Sequence, residues 1–354
     1  MTILQRLREE MVKIGYLTIE SQYVFPDVFS ASSPNRSVPL AAFTHSPPSY
    51  RNAALAVIEA EKDTATELSG DYRALGAPLV FVIEGQQVTV WQIHPKGRPT
   101  VYRRVTLEQI GSLFSENHQV WSPRRIHNAK AFGLLNKSFQ LDFVDVGLMP
   151  AIEGEIHGKL DRLLNETLAE TVRLRVVRPG EAVDDRVVFR TVFRLLAAKV
   201  LQDRGHELAG SWNPADIDTV LNGISGYYKL PALPGENSSF KGTGFESAWV
   251  RLMSGINFRN ISSDDLAFVY ENTLITKETR EHFGTHSTPR PMAEYVVNRL
   301  ELWRNNLSKL KVYEPFAGAG VFMVAALRQL RDLLEIELPE VDRHGLHPVW
   351  LTRA

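Results

Sequence analysis

Glu314 stands at the end of Lys311-Val312-Tyr313, and the residues behind it, Pro315-Phe316-Ala317-Gly318-Ala319-Gly320-Val321-Phe322, bring two glycines to the start of an apolar helical pattern. A carboxylate at a strand tip accepts hydrogen bonds from a cationic amine. Glycines after it let the backbone approach a ligand closely or adopt positive φ. The first N–H groups of the helix that follows have no partner within it and face the crevice. The chemistry on offer is the binding of a nucleotide-like ligand that carries an amine. Upstream, Gly284-Thr285-His286-Ser287-Thr288-Pro289 sets the hydroxyl of Thr288 before a proline, a helix start with an N-cap and proline at the first helical position.

Three elements must position these groups. A short strand over 311–313 carries Glu314 to its carboxyl end. A helix after Pro289 is expected to pack through Met292, Tyr295, Val296, Leu300 and Trp303, and a helix from Phe322 through Met323, Ala326, Leu327 and Leu330. A nicotinamide-dinucleotide site competes for the same loop. Its third glycine, however, would fall at Met323, and its ribose-binding acid, expected about 20 residues on, has only Glu340 and Asp342 as candidates with no fixed register. A plain strand-to-helix turn remains the other alternative.

The two motifs together resemble those of the adenine-N6 DNA methyltransferases in which motif X precedes motif I. In that family the first reads roughly Gly-x-x-Tyr-Thr-Pro and the second Asp-Pro-x-x-Gly-x-Gly-x-Phe. The run Phe268-Val269-Tyr270-Glu271-Asn272-Thr273-Leu274 is similar to the one ahead of motif X in large type I and type IIG restriction-modification subunits. The resemblance covers residues 265 to 354, and Ser287 stands where the family has an aromatic. It implies a Rossmann-like domain, S-adenosylmethionine as cofactor, and donor contacts at Thr288, Pro289, Glu314, Pro315, Phe316, Gly318, Gly320 and Phe322. It further implies methylation of adenine N6 in double-stranded DNA, within a restriction-modification or phage-defence system whose other subunits would be partners.

In such an enzyme the adenine is flipped from the duplex, and an Asn-Pro-Pro-Tyr-like motif holds its amine in line with the methyl group. No such motif follows the glycine loop, and Ser46-Pro47-Pro48-Ser49 reads as a turn. The chain is therefore expected to carry no catalytic residue, to be the front part of an enzyme with little turnover alone, and to expose apolar surface from about residue 285 onward. The alternative is a non-catalytic DNA- or protein-binding subunit of the same kind of system.

Composition bounds these readings. With 354 residues, 44% of them apolar, the chain has room for two or three domains with proper cores. Forty basic residues against forty-one acidic ones leave no overall basic footprint, so any DNA contact must be local. The absence of cysteine removes disulfides and thiolate metal sites. No signal sequence and no stretch of roughly 20 apolar residues is present, which leads us to expect a cytoplasmic protein without membrane contact.

The fold class expected is α/β plus α-helical: an N-terminal mixed α/β domain over 1–125, a helical connector over 126–283, and the start of the methyltransferase domain over 284–354. Within the first domain we expect a helix to about Ile14, β-rich Tyr16–Ile19 and Tyr23–Phe25, a loop from Ser30 to Ser37, a helix over Asn52–Lys62, and a hairpin of Leu79–Ile83 with Gln87–Ile93. In the connector, Asp185 opens a helix that Gly205 ends. Its apolar face comprises Val188, Phe189, Val192, Phe193, Leu196, Val200 and Leu201. Arg186, Arg190 and Arg194, with Lys199 nearby, form a second face that reads as a solvated surface or as a phosphate-tracking stripe. Gly235 to Gly244 lacks the Gly-Lys-Ser/Thr of a phosphate loop.

No metal site is expected, because His282 and His286 lack the glutamate between them, and His344 and His347 lack a third ligand. Pro26-Asp27 with Glu59, Glu61 and Lys62 approaches a nuclease constellation. Its acid-x-lysine spacing is broken, which favours an accessory domain.

Overall fold

The computed structural model describes the chain apart from residues 1, 61–71, 135–136, 174–184, 232, 234–239, 242, 263–264, 267–287, 289, 301, 303–309, 316–319 and 338–354. It is mixed α/β and divides into two compact units, Met1–Leu266 and Ala267–Ala354. The sheet and the helices that follow it as far as Leu266 all belong to the first unit.

The first unit is built on one sheet in sequential order: β1 (Thr18–Pro26), β2 (Asn35–Phe43), β3 (Ala53–Glu59), β4 (Leu79–Glu84), β5 (Gln87–Gln92) and β6 (Thr100–Thr106). Neighbours are antiparallel except β3 and β4, which run parallel with Leu55 opposite Leu79. Parallel neighbours need a long crossover, and 19 residues separate Glu59 from Leu79 in the sequence. The hairpin of β4 and β5 forms as the alternation predicts, closed by Gly85-Gln86 between the paired Glu84 and Gln87.

The segment expected to be helical over Asn52–Lys62 is instead strand β3 as far as Glu59. Alanine content favours a helix in isolation. Here the strand lies in the middle of the sheet with Ala53 through Ile58 all buried, the setting that gives parallel strands continuous apolar runs. Burial overrides propensity. The loop expected from Ser30 to Ser37 is likewise shorter, because β2 begins at Asn35 and pairs it with Pro26.

Helices α1 (Ile3–Lys13), α2 (Ile110–Asn117) and α3 (Pro123–Phe132) contribute Leu7, Met11, Phe114, Ile126 and Ala129 to a core shared with Leu40, Leu55, Val57 and Phe81 of the sheet. Helix α1 is capped by Thr2 and Gln5, which hydrogen-bond each other's backbone N–H reciprocally. Trp121 lies edge-on to both Phe81 and Phe114, at centroid distances of 5.6 and 5.3 Å. Rings of this size contribute about 1.5–3 kcal/mol each on burial.

Among the described residues the unit continues through α4 (Leu148–Arg173), α5 (Asp185–Asp203), α6 (Ile217–Tyr227) and α7 (Gly244–Ser254). Helix α5 follows the expected bounds, with Val188, Val192 and Leu196 buried. Helix α6 ends with Lys229 at φ 51°, where the amide of Leu230 bonds back to the carbonyl of Ser225 at 2.9 Å. A left-handed helix end is the usual place for glycine. Lys229→Gly should therefore raise stability by about 0.5–1 kcal/mol, read as a higher denaturant midpoint.

In the second unit, α8 (Arg290–Arg299) packs on α9 (Val321–Glu337). Their core is Ala293, Val297 and Leu302 against Ala325, Ala326 and Leu330. No helix among the described residues is long and apolar enough to cross a membrane.

Candidate functional site

The segment Lys311–Glu314 has no regular secondary structure, whereas the sequence led us to expect a strand there. A strand needs a paired neighbour to satisfy its backbone, and the described part of the second unit offers none. Glu314 is nonetheless fixed. Its Oε2 accepts the backbone N–H of Met323 at 3.1 Å, at the third position of α9. That amide is one of the four that a helix leaves without an internal acceptor, so the carboxylate both caps α9 and lies at the positive end of its dipole. Oε1 has no partner among the described residues.

Gly320 precedes α9 at φ +75°, in the left-handed region, and its carbonyl accepts the N–H of Val324 at 2.8 Å. A Cβ built there would meet no atom of the described residues within 4 Å. Val321 and Phe322 occupy first-turn positions whose amides have no acceptor inside the helix. Phe322 is half-buried against the Ala293–Leu330 core.

Of the other expected donor contacts, Thr288 is half-buried two residues before α8, and Pro315 is exposed. Pro289, Phe316 and Gly318 lie outside the described residues, as do Gly284, His286, Ser287 and the run Phe268–Leu274. The structure thus brings Glu314, Gly320 and Phe322 together at the start of α9 and places Thr288 ahead of the helix that packs on it.

The apolar face expected on α8 is not the one it buries. Met292, Tyr295, Val296 and Leu300 are exposed, whereas Ala293 and Val297 are buried. The small side chain of Ala293 opposite Ala325 and Ala326 lets the two helices approach closely, which selects this face over the bulkier one. On α9, Leu327 is also exposed while Ala326 and Leu330 are buried as expected, and Tyr313 of the preceding segment is 86% exposed. Trp303 lies outside the described residues.

No protein family, curated protein or solved structure matches this chain.

A second cluster, in the first unit, went unnoticed in the sequence. The fully buried carboxylate of Asp265 accepts from Tyr50 Oη at 3.0 Å, Arg51 Nη2 at 3.2 Å and His157 Nε2 at 3.1 Å on one oxygen. On the other it accepts from Ser262 N at 3.0 Å and Ser262 Oγ at 2.6 Å. Burial by itself would raise this carboxyl, but the His157 hydrogen bond, the Arg51 charge and the Ser262 hydrogen bond outweigh it and hold Asp265 well below the usual carboxylate range. Glu153, His157 and Asp265 present ligand atoms within 4.8 Å of one another, a spacing that a metal ion accepts. Arg51 Nη2, however, bridges Glu153 Oε1 at 2.8 Å and Asp265 Oδ1, so a guanidinium already supplies the positive charge. The cluster ties the β2–β3 loop, α4 and the 258–265 segment into one piece. The only advance signal was the four-residue spacing of Glu153 and His157 on a helix.

Next to it, Lys130 is half-buried and donates to the carbonyls of Tyr50, Ala53 and Gly76 at 2.7, 2.7 and 2.9 Å. All three of its protons are used. Burial, with the Arg51 charge second, pushes its pKa well below the ordinary lysine value. Gly76 is required there: its φ is +83°, and a Cβ would lie 2.3 Å from the carbonyl oxygen of Tyr50.

Two cations of α5 are corrected by the structure. Arg194 is buried and donates to Ser225 Oγ at 2.8 Å and to the carbonyl of Pro231, while Lys199 is buried against Asp203 at 2.7 Å. Neither belongs to a solvated face or a phosphate stripe, because each is consumed by a partner inside the helical layer. Arg190 alone of the described side chains in that set is exposed. The nuclease-like set is likewise taken apart. Asp27 is buried and ion-paired to Arg36 at 3.0 Å at the end of β1, with β2 between it and the exposed Glu59 of β3. Glu61 and Lys62 lie outside the described residues.

Proposed function

We propose that this chain is the donor-holding part of an S-adenosylmethionine-dependent adenine-N6 DNA methyltransferase of a restriction-modification or phage-defence system, with the second unit the beginning of its Rossmann-like domain. The observation that carries the reading is Glu314: a carboxylate braced on the first turn of α9 by one oxygen, the other without a partner among the described residues, beside Gly320 at positive φ.

The donor set fits the ligand. Glu314 Oε1 would accept from the ammonium of the methionine end, and the first-turn amides of α9 favour the neighbouring carboxylate. Gly320, without a side chain, would let backbone lie against the ligand, and Thr288 would close over it from ahead of α8. Bound there, S-adenosylmethionine supplies an electrophilic methyl group on a sulfonium. The part these residues would play is to bind and orient the donor.

A rival reading, a non-catalytic binding or assembly subunit, draws on the half-exposed rings of Tyr227 and Tyr228, 4.8 Å apart at the end of α6. Equilibrium dialysis separates the two. We expect the full chain to retain S-adenosylmethionine in competition with S-adenosylhomocysteine and to ignore a nicotinamide dinucleotide. Retention of neither favours the platform, and equal retention of the dinucleotide favours a different cofactor.

A further inference from the structure

A cationic feature of the described surface belongs to neither site above. Between Glu84 and Glu108 the sequence has no acidic residue but contains Lys96, Arg98, Arg103 and Arg104, in a chain whose total charge is nearly balanced. The fold gathers them on one ribbon. Strands β5 and β6 form an antiparallel pair at the edge of the sheet, and residues 93–99 connect them.

The connection is held firmly. His94 contacts Asp145 through Nδ1 and Thr100 through Nε2, both at 3.0 Å, closing the base of the loop. Arg73 Nη1 donates to the carbonyl of Pro95 at 3.1 Å. Pro95 and Pro99 fix φ on either side of Lys96-Gly97-Arg98, leaving these three residues exposed at the tip.

On β6 itself every residue but Val105 is exposed. Lys96, Arg98 and Arg104 make no hydrogen bond or ion pair among the described residues, and Arg103 makes one surface pair, with Glu116 at 2.6 Å. The nearby acids are engaged or peripheral: Glu116 by Arg103, Asp145 by His94, with Asp142 beside Tyr102 bounding the patch.

Charged edge strands also serve to discourage sheet-to-sheet pairing. That role accounts for Arg103 and Arg104 on the edge but not for two unpaired cations on a clamped tip beyond it. The major groove of duplex DNA admits a two-stranded ribbon, and unpaired cations on a loop whose backbone is already held can contact phosphates with only their side chains left to order.

We propose that the β5–β6 ribbon is a duplex-DNA surface, with Lys96, Arg98 and Arg104 on backbone phosphates. The proposal rests on the reading of the chain as part of a DNA-modifying enzyme and supplies the local contact that its balanced charge requires.

The test is fluorescence anisotropy of the full chain on a labelled duplex, at salt between about 50 and 200 mM. Triple neutralisation by Lys96→Gln, Arg98→Gln and Arg104→Gln should weaken binding about tenfold or more at low salt. It should also flatten the salt dependence by about 0.9 in log–log slope for each phosphate no longer neutralised. The side chains are exposed, so circular dichroism and the unfolding midpoint should not change. The matched control, Arg162→Gln, Arg173→Gln and Arg190→Gln, removes the same charge from α4 and α5 and should change affinity less than about twofold.

Equal loss in both triple variants, no loss in either, or no DNA binding by the unaltered chain at low salt overturns the proposal. So does competition by polyglutamate as effective as that by unlabelled duplex, which would mark the ribbon as a site for acidic protein. The readout involves no methyl donor. Ribbon-dependent DNA binding without donor retention would sink the methyltransferase reading and leave this one standing, and the reverse result would do the opposite.

Discussion

Asp265→Ala is expected to cost about 3–5 kcal/mol of unfolding free energy, because it strips Arg51 of a buried counter-charge and leaves His157, Tyr50 and Ser262 without this acceptor. Asp265→Asn keeps the shape but removes the charge, and should lose a smaller but still large part of this. The pH dependence follows from the sign of the shift. The folded carboxyl is held below its ordinary value, so the unfolded chain takes up a proton first as the pH falls. The stabilisation is fully present above about pH 5, and it declines as the pH drops through the unfolded carboxylate range near 4 toward the folded value. Denaturant unfolding at neutral pH and in mild acid checks both points. The unaltered chain should lose stability across that interval more steeply than Asp265→Asn, and parallel profiles would show that the cluster is not what titrates.

Substitution at Glu314 separates two jobs that one carboxylate holds. Glu314→Gln retains an oxygen for the Met323 amide, so α9 should keep its first turn, while the charge offered to a ligand ammonium is gone. A hydrogen bond to a charged group is worth about 1.5–3 kcal/mol, so the affinity for S-adenosylmethionine should fall roughly ten- to hundredfold with little change in helix content. Glu314→Ala should lose the same affinity and in addition about 0.5–2 kcal/mol of helix capping, visible as a lower unfolding midpoint. If Gln binds the donor as well as Glu does, the carboxylate is a cap and nothing more.

The parts of this structure that could be read in the sequence are those fixed by local signals. Thr2 and Gln5 announce α1, Gly85 closes a hairpin between two alternating runs, and Asp185 to Gly205 delimits α5. What could not be read depends on partners far away in the chain. The alanines of β3 become strand because β2 and β4 bury them on both sides. Arg194 and Lys199 look like surface cations until Ser225, Pro231 and Asp203 are brought against them.

The Asp265 cluster is the extreme case. Its members come from positions 50–51, 153–157 and 262–265, and only the tertiary fold makes them neighbours. In the second unit the reverse holds. Of the glycine pair, Gly320 was legible as a position free to take positive φ, and it does so, while Gly318 lies outside the described residues. The packing face of α8 was not, because two small residues, Ala293 and Val297, outcompete larger ones when the facing helix also presents alanines.

The most direct measurement is photo-crosslinking of methyl-labelled S-adenosylmethionine to the full chain, followed by peptide mapping, with Glu314→Gln alongside. Label is expected on the peptide spanning Lys311 to Val324, displaced by S-adenosylhomocysteine and lost in the variant. Label elsewhere in the chain, or equal labelling of both proteins, would contradict the donor-site reading.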